Sequence, residues 1–215
     1  MNKLTLKDIQ NIVAKMADVI IENEVPFCEL DSHAGDGDFG MSVAKGFKQL
    51  KVEWNDLETD TIGAFLKSAS KIIKEFCGGA SGPIWGGAFA AAAKDAGDKV
   101  ELTLCEFASI MQAAVAGIQK VGERSFGRGA VVGDKTLIDA LVPTADSLTE
   151  SAKAGEEIEI AMKKAAAAAV AGAESTKLIA ARMGRAGTVG DRSIGYPDAG
   201  AHGLGVIFTE IAKTF

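Results

Sequence analysis

The sequence predicts an all-α fold of about eight antiparallel helices in a closed bundle or barrel. Several segments repeat apolar residues at intervals of three or four, which is the helical period. No segment alternates apolar and polar residues over the length of a strand, so little β structure is expected. Short glycine-rich connections separate the helical segments, and such connections make consecutive helices antiparallel neighbours.

The first four helices are predicted from their start and stop signals. Thr5, with Asp8 three residues later, starts the first helix, and Glu24-Val25-Pro26 ends it. The second helix runs from 41 to 54, and Asp60 caps the third, which runs to 76. The fourth covers 84–94, with Pro83 at its first turn.

The second half of the chain continues the same pattern. The predicted helices cover 104–121, 136–151, 156–183 and 204–214. Pro143 is expected to kink the helix over 136–151 because proline cannot donate the interior hydrogen bond. Long polar or glycine-rich connections follow the fifth helix, over 122–134, and the seventh, over 184–203.

Composition narrows the class of protein. The 215 residues are 47% apolar and 24% charged, which indicates a globular chain that we interpret as one domain over 1–215. The net charge of −6 disfavours a nucleic-acid partner. Three cysteines without C-x-x-C spacing indicate buried thiols of a reducing compartment. The N-terminus lacks a secretory signal and no apolar run is long enough for a membrane span, so a cytoplasmic protein without a membrane partner is expected.

The segment from Asp31 to Gly40 is the strongest candidate for chemistry. It brings Asp31, Asp36 and Asp38 together with three glycines, which allow tight turns. An all-oxygen ligand set suits a hard divalent cation, Mg²⁺ first, with Ca²⁺ or Mn²⁺ also compatible. The alternative is a solvated acidic turn. The segment also matches G-x-G-x-x-G, but no apolar strand precedes it, and no EF-hand register places a glutamate at its last position.

Two further segments suggest phosphate binding. Gly78-Gly79-Ala80-Ser81-Gly82 leads into a helix start, where free N–H groups attract anions, although it could be an ordinary turn. Gly133-Asp134-Lys135-Thr136 resembles the end of a phosphate loop, but Asp134 separates the glycine from the lysine, which favours a structural role.

Charged and aromatic side chains near these segments are also candidates. Arg185 or Arg192 could offset phosphate charge, whereas their alternative is pairing with surface carboxylates. His33 is interpreted as a hydrogen-bonding loop residue and His202 as a cap or packing residue. In an up-and-down bundle alternate connections share one end, so the four unusual connections are expected to form one composite site there.

These motifs, in this order, resemble the nucleotide-binding subunits of bacterial dihydroxyacetone kinases over essentially the whole chain. The resemblance rests on the acidic segment, on 78–83, on Gly133-Asp134-Lys135-Thr136 with Asp139, and on Gly184-Arg185-Ala186 and Arg192-Ser193-Ile194-Gly195. It implies an all-α barrel of eight helices with ADP or ATP bound at one end through two Mg²⁺ ions.

The resemblance also implies site residues. The metal ligands would be Asp31, Asp36 and Asp38. The nucleotide would contact Phe39, Gly40, Met41, Ser42, Gly79, Ala80, Ser81, Gly122, Leu137, Arg185, Asp198, Ala199 and Gly200. Arg185 would also be catalytic. Phe39 departs from the histidine usual in that family, and the segment between Gly122 and Gly133 is longer, with Val132 in place of a common proline.

The family divides its activity between proteins. The resemblance implies a separate ketose-binding kinase subunit as partner, and either free ATP or resident ADP rephosphorylated by a phosphotransferase-system phosphoprotein as donor. Two other hypotheses remain open at this point: a non-catalytic, metal-stabilised helical module that docks partners, and a metal-dependent phosphohydrolase that acts alone.

Overall fold

The computed structural model describes residues 3–215, so Met1 and Asn2 of the N-terminal stretch lie outside the described residues. Within that range the chain forms nine α-helices and two short strands. The elements are β1 (Lys3–Thr5), α1 (Leu6–Glu22), α2 (Glu24–Asp31), α3 (Phe39–Val52), α4 (Ile62–Phe76), α5 (Ser81–Ala96), β2 (Glu101–Thr103), α6 (Leu104–Phe126), α7 (Ile138–Lys153), α8 (Ile158–Ser175) and α9 (Ala199–Ala212). Short 3₁₀ turns cover Trp54–Asp56, Thr176–Leu178, Ala186–Thr188 and Gly190–Ser193.

Eight of the helices form a closed ring. From α3 to α9 each helix packs against the next along the chain, α1 packs against α3, and α9 packs back against α1. The apolar faces point inward, where Phe47, Phe65 and Ile138 are fully buried. The predicted all-α barrel is confirmed, and the additional short helix α2 packs against α3 and α9.

The two poles of the barrel differ. Helices α4, α6 and α8 end at one pole, where α3, α5, α7 and α9 begin. At the other pole β1 pairs with β2 in an antiparallel ribbon with Leu4 opposite Leu102, which ties the start of α1 to the start of α6. The predicted start of α1 is confirmed, because Thr5 and Asp8 form a capping box.

Some predicted boundaries were wrong. Pro26 does not end a helix but lies in the first turn of α2. The N–H groups of a first turn have no acceptor within the helix, so a proline there costs no helical hydrogen bond. The cap of α4 is Thr61 rather than Asp60, because the Thr61 side chain accepts the N–H of Ala64 at 3.0 Å. The alanine-rich helix α8 ends at Ser175 and not at Met183.

Other differences concern connections and thiols. Helix α6 continues past Val121 to Phe126, and Gly127, with φ 77°, ends it, so Gly122 lies in a helix and not in a loop. Of the three cysteines only Cys77 is buried, whereas Cys105 is exposed, so the prediction of three buried thiols was wrong. No helix in the described part of the chain is long and apolar enough to cross a membrane.

Candidate nucleotide and metal site

Three of the four unusual connections line one cavity of about 260 Å³ at the pole where α3, α5, α7 and α9 begin; of the remaining connection, predicted over 122–134, only the residues that follow it, 135–137, reach the cavity. Its walls come from the acidic segment, the start of α5, the segment before α7 and the connection between α8 and α9. The lining residues include Asp31, Asp36, Asp38, Phe39, Ser42, Gly79, Ala80, Ser81, Leu137, Arg185, Asp198, Ala199 and Gly200. Four helix N-termini meet here, and each carries a partial positive charge.

The acidic segment folds around the carboxylate of Asp31, the last residue of α2. Its Oδ2 accepts the backbone N–H of Gly37 at 2.8 Å and that of Asp38 at 3.1 Å. Gly37 has φ 75°, a conformation that residues with a side chain rarely adopt. A Cβ on Gly35 would lie 2.2 Å from Asp31 Oδ1, so only glycine allows the turn to close this tightly.

The three aspartates fit a divalent cation. One carboxylate oxygen from each of Asp31, Asp36 and Asp38 can be chosen so that all lie within 4.8 Å of one another. Burial, together with the charge of Asp36, raises the pKa of Asp31, so a cation at this point would relieve an unfavourable concentration of negative charge. All-oxygen ligands of this kind suit Mg²⁺.

The start of α5 offers backbone donors to an anion. Gly78 donates its N–H to Ser42 O at 2.9 Å, which fixes the turn against α3. Gly79 has φ 50°, and within residues 3–215 the N–H groups of Gly79 and Ala80 have no hydrogen-bond acceptor. Ser81 is the first residue of the helix and lines the cavity. These donors at a helix N-terminus suit a phosphate group.

Arg185 faces the acidic segment across the cavity. Its Nη2 lies 2.9 Å from Asp36 Oδ2, and its side chain is 76% exposed. The pairing joins the connection between α8 and α9 to the candidate metal site. Because the side chain is largely exposed, the guanidinium has room to turn from Asp36 towards a phosphate. Arg192 is exposed and does not line the cavity.

The other predicted nucleotide contacts divide into two groups. Phe39, Ser42, Leu137, Ala199 and Gly200 line the cavity. Gly40, Met41 and Gly122 do not. A Cβ on Gly40 would lie 2.0 Å from Glu24 O, so this glycine lets α3 approach α2 closely. His202 packs edge-on against Phe27, as predicted for a packing residue. The side chain of His33 stacks on Tyr196 with ring centroids 3.9 Å apart, a contact that the sequence did not predict.

Asp198 combines a structural and an electrostatic role. Its Oδ2 caps α9 by accepting the N–H of Ala201 at 2.8 Å. Burial raises its pKa to about 7, and the charges of Asp139 and Asp31 act in the same direction. The carboxyl group therefore binds a proton at pH values where an exposed aspartate is ionised.

This shift predicts a pH-dependent stability. The unfolded chain releases the Asp198 proton near the ordinary aspartate pKa of 3.8, whereas the folded chain keeps it to about 7. The stabilisation is therefore complete below pH 4 and is lost as the pH rises towards 7, by roughly 2 to 4 kcal/mol in metal-free protein. Urea unfolding at pH 4 to 7 measures it. Asp198→Asn keeps a helix cap but cannot ionise, so its free energy of unfolding should fall less between pH 4 and pH 7, by this amount. A pH dependence equal to that of the wild type would contradict the assignment.

Buried polar groups hold the segment 133–136, for which the sequence favoured a structural role, but their hydrogen-bond partners were not predicted. Asp139 accepts the N–H groups of Gly133 at 2.6 Å and Thr136 at 2.8 Å, and so shapes the segment before α7. Lys135 lines the cavity but is almost fully buried, and its ammonium group donates to backbone carbonyls. The available signal was the presence of three charged residues, Asp134, Lys135 and Asp139, so close to the apolar start of a helix.

Comparisons with known proteins agree with this geometry. The model of the DAK2 domain family matches residues 33–213. The chain is 31% identical to the PEP-dependent dihydroxyacetone kinase, ADP-binding subunit DhaL, of Escherichia coli, over 92% of this chain and 91% of the relative. It is 30% identical to the L-erythrulose kinase of Pectobacterium atrosepticum over 91% of its own length, but it spans only 32% of that relative.

A solved structure shares the fold. The dihydroxyacetone kinase from C. freundii in complex with AMP-PNP and Mg²⁺ matches 96% of this chain with a TM-score of 0.73 and 25% identity. The match covers 34% of that enzyme, so this chain spans about a third of its length. With most of its length matched by one family model and by full-length relatives, the chain belongs to the DAK2 domain family, together with the ADP-binding subunits of dihydroxyacetone kinases.

Proposed function

We propose that this chain is the nucleotide- and magnesium-binding subunit of a two-component kinase for dihydroxyacetone or a related small ketose, and that residues 1–215 act as one domain. The observation that carries the proposal is the convergence of three carboxylates and a glycine-rich helix start on one cavity. The names of the relatives support the same function, because one is an ADP-binding subunit and another acts on erythrulose.

The residues divide the work of phosphoryl transfer. Asp31, Asp36 and Asp38 hold two Mg²⁺ ions, which when bound offset the negative charge of the phosphate oxygens. Ser81 and the free N–H groups of Gly79 and Ala80 fix the phosphate chain. Arg185 leaves Asp36 and stabilises the charge that develops on the transferred group. Phe39 and Leu137 form an apolar part of the cavity wall, against which the rest of the nucleotide packs.

The remaining nucleotide contacts follow from position. Asp198, Ala199 and Gly200 form the start of α9 at the cavity, and Ser42 lies beside the glycine-rich turn. Gly40 and Met41, in the first turn of α3, and Gly122, in the last turns of α6, lie outside the cavity lining, and we propose that they support the residues that contact the nucleotide.

The kinase requires other proteins. We propose that a separate subunit holds the ketose, since the Escherichia coli relative is named as the ADP-binding subunit of its kinase. The word PEP-dependent in the name of the Escherichia coli relative favours resident ADP that a phosphotransferase-system phosphoprotein rephosphorylates, over exchange with free ATP. The cytoplasmic location stays a prediction from the sequence.

Isothermal titration calorimetry with ADP tests the proposal. In Mg²⁺ we expect a 1:1 complex, and in EDTA we expect binding to fall at least about 100-fold, because the phosphates reach the carboxylates only through the cation. A helical docking module would be stabilised by Mg²⁺ without a further response to ADP, and a phosphohydrolase would release phosphate from ATP unaided. Either result would contradict the proposed function.

A further inference from the structure

The ammonium group of Lys135 lies in a ring of four backbone carbonyls. Its Nζ is 2.7 Å from Thr176 O, 3.1 Å from Ile179 O, 2.5 Å from Ser193 O and 2.8 Å from Tyr196 O. The residue is only 2% exposed. An ammonium group has three N–H donors, so every donor is used and one is shared between two carbonyls.

The four carbonyls flank the residues that carry Arg185. Two of them precede residues 180–192, which we call the arginine arch, and two follow it. We call residues 176–179 and 193–196 the two stems of the arch. Lys135 therefore joins both stems through one positively charged atom. Two further bonds close the base, from Ala181 N to Ser193 Oγ at 2.9 Å and from Gly195 N to Lys177 O at 2.9 Å.

The backbone around Lys135 holds the same connection. Its φ is 60°, and within residues 3–215 no other residue with a side chain has a positive φ. The preceding carbonyl, Asp134 O, accepts the N–H of Arg182 at 3.0 Å, inside the arch. An uncommon backbone conformation at a buried charge indicates that the surrounding structure depends on the placement of that charge.

No carboxylate pairs directly with Lys135 among the described residues. Burial lowers its pKa, and the charges of Asp198 and Asp139 oppose that change from a distance. A buried cation that is held by carbonyl dipoles alone is costly unless every donor is satisfied. The ring of carbonyls satisfies them only while the two stems of the arch stay together.

We propose that Lys135 is a positioning residue that closes the arginine arch and so aims Arg185 at the phosphate end of the nucleotide. The inference rests on the proposed function for what Arg185 binds, and on the described geometry for how the arch is held. Lys135 lines the cavity, but all hydrogen bonds of its ammonium group go to backbone carbonyls, so it acts through Arg185.

Hydrogen exchange and Mg²⁺·ADP binding test the inference in Lys135→Met, which keeps the length of the side chain and removes its charge. We expect the amides of Ala181, Arg182 and Gly195 to exchange at least about tenfold faster, while the amides in the helices of the barrel keep their protection. We expect Mg²⁺·ADP affinity to fall by the same factor as in Arg185→Ala. In the double variant it should fall no further than in Arg185→Ala, within about twofold, since coupled residues are not additive.

Lys177→Met is the matched control. Lys177 lies on the first stem of the arch, but its ammonium group pairs with Glu174 at 2.5 Å on the surface. In Lys177→Met, both the amide hydrogen exchange of the arginine arch and the affinity for Mg²⁺·ADP should match those of the wild type. Additive effects in the double variant, or unchanged exchange in Lys135→Met, would overturn the inference.

A rescue experiment separates the charge from the space that it fills. In Lys135→Ala, n-propylammonium replaces the missing part of the side chain and should restore slow exchange in the arch, whereas 1-propanol should not. Equal rescue by both, or by neither, would overturn the role of the ammonium group. So would failure of both Lys135 variants to fold even with the amine, because Lys135 would then serve the whole fold.

The exchange measurements need no nucleotide. If the wild-type chain bound no ADP in Mg²⁺, the proposed function would fail while the test of the arch would stand. If ADP bound normally and arch protection did not depend on Lys135, only this inference would fail.

Discussion

Asp38→Ala should weaken Mg²⁺·ADP binding by at least about 100-fold, since loss even of a group that only supports a metal ligand costs about 10- to 100-fold. Asp38 is exposed and its side chain makes no cap hydrogen bond to α3, so removal of its carboxylate breaks no bond within the fold. The thermal midpoint of the metal-free protein should therefore stay unchanged or rise slightly as repulsion with Asp36 is relieved. Calorimetry with ADP in Mg²⁺ and a thermal melt measure the two effects.

Asp60→Ala is the control for this experiment. Asp60 is also an exposed aspartate just before a helix, but it lies before α4, whose cap is Thr61. Both ADP affinity and thermal midpoint should match those of the wild type. Retained ADP affinity in Asp38→Ala would refute the assignment of the acidic segment as the metal site.

Gly40→Ala should lower the free energy of unfolding by about 2 to 3 kcal/mol, because the added methyl group has no room. Its Cβ would lie 2.0 Å from Glu24 O and 3.0 Å from Cys28 N, both backbone atoms of α2. Separation of α2 from α3 also moves the acidic segment that connects them, so Mg²⁺ affinity should fall together with stability. Urea unfolding and Mg²⁺ titration measure both.

Gly205→Ala tests whether the effect comes from the close approach rather than from loss of a glycine. Gly205 lies in α9, and a Cβ there would meet Val170 at an ordinary 3.5 Å. Alanine has the higher helix propensity, so stability should stay the same or rise by up to about 1 kcal/mol. A large loss in Gly205→Ala, or none in Gly40→Ala, would contradict the packing described for α2 and α3.

Local signals explain why much of the fold was predictable. The capping box of Thr5 and Asp8 acts over three residues, and the inward-facing residues of α4 repeat at the helical period. The position of the four connections at one pole follows from counting antiparallel helices. Helix α2 escaped prediction because Pro26 is equally compatible with the end of one helix and the first turn of another.

The parts that could not be predicted depend on contacts between distant residues. Lys135 binds carbonyls 41 to 61 residues further along the chain, and no local pattern specifies such a ring. The same ring explains the early end of α8, since Thr176 O accepts from the ammonium group just beyond Ser175. The pairing of Arg185 with Asp36 likewise joins segments that only the closed barrel brings together.

The closure of the ring by α9 against α1 has a practical result for anyone who handles the protein. Helix α9 begins at the cavity and runs away from it, and α1 begins beside the ribbon of β1 and β2, so Lys3 and Phe215 emerge at the far pole. An affinity tag or a fluorescent protein joined after Phe215 would point away from the cavity mouth. Immobilisation through that tag would present the mouth to a partner in solution.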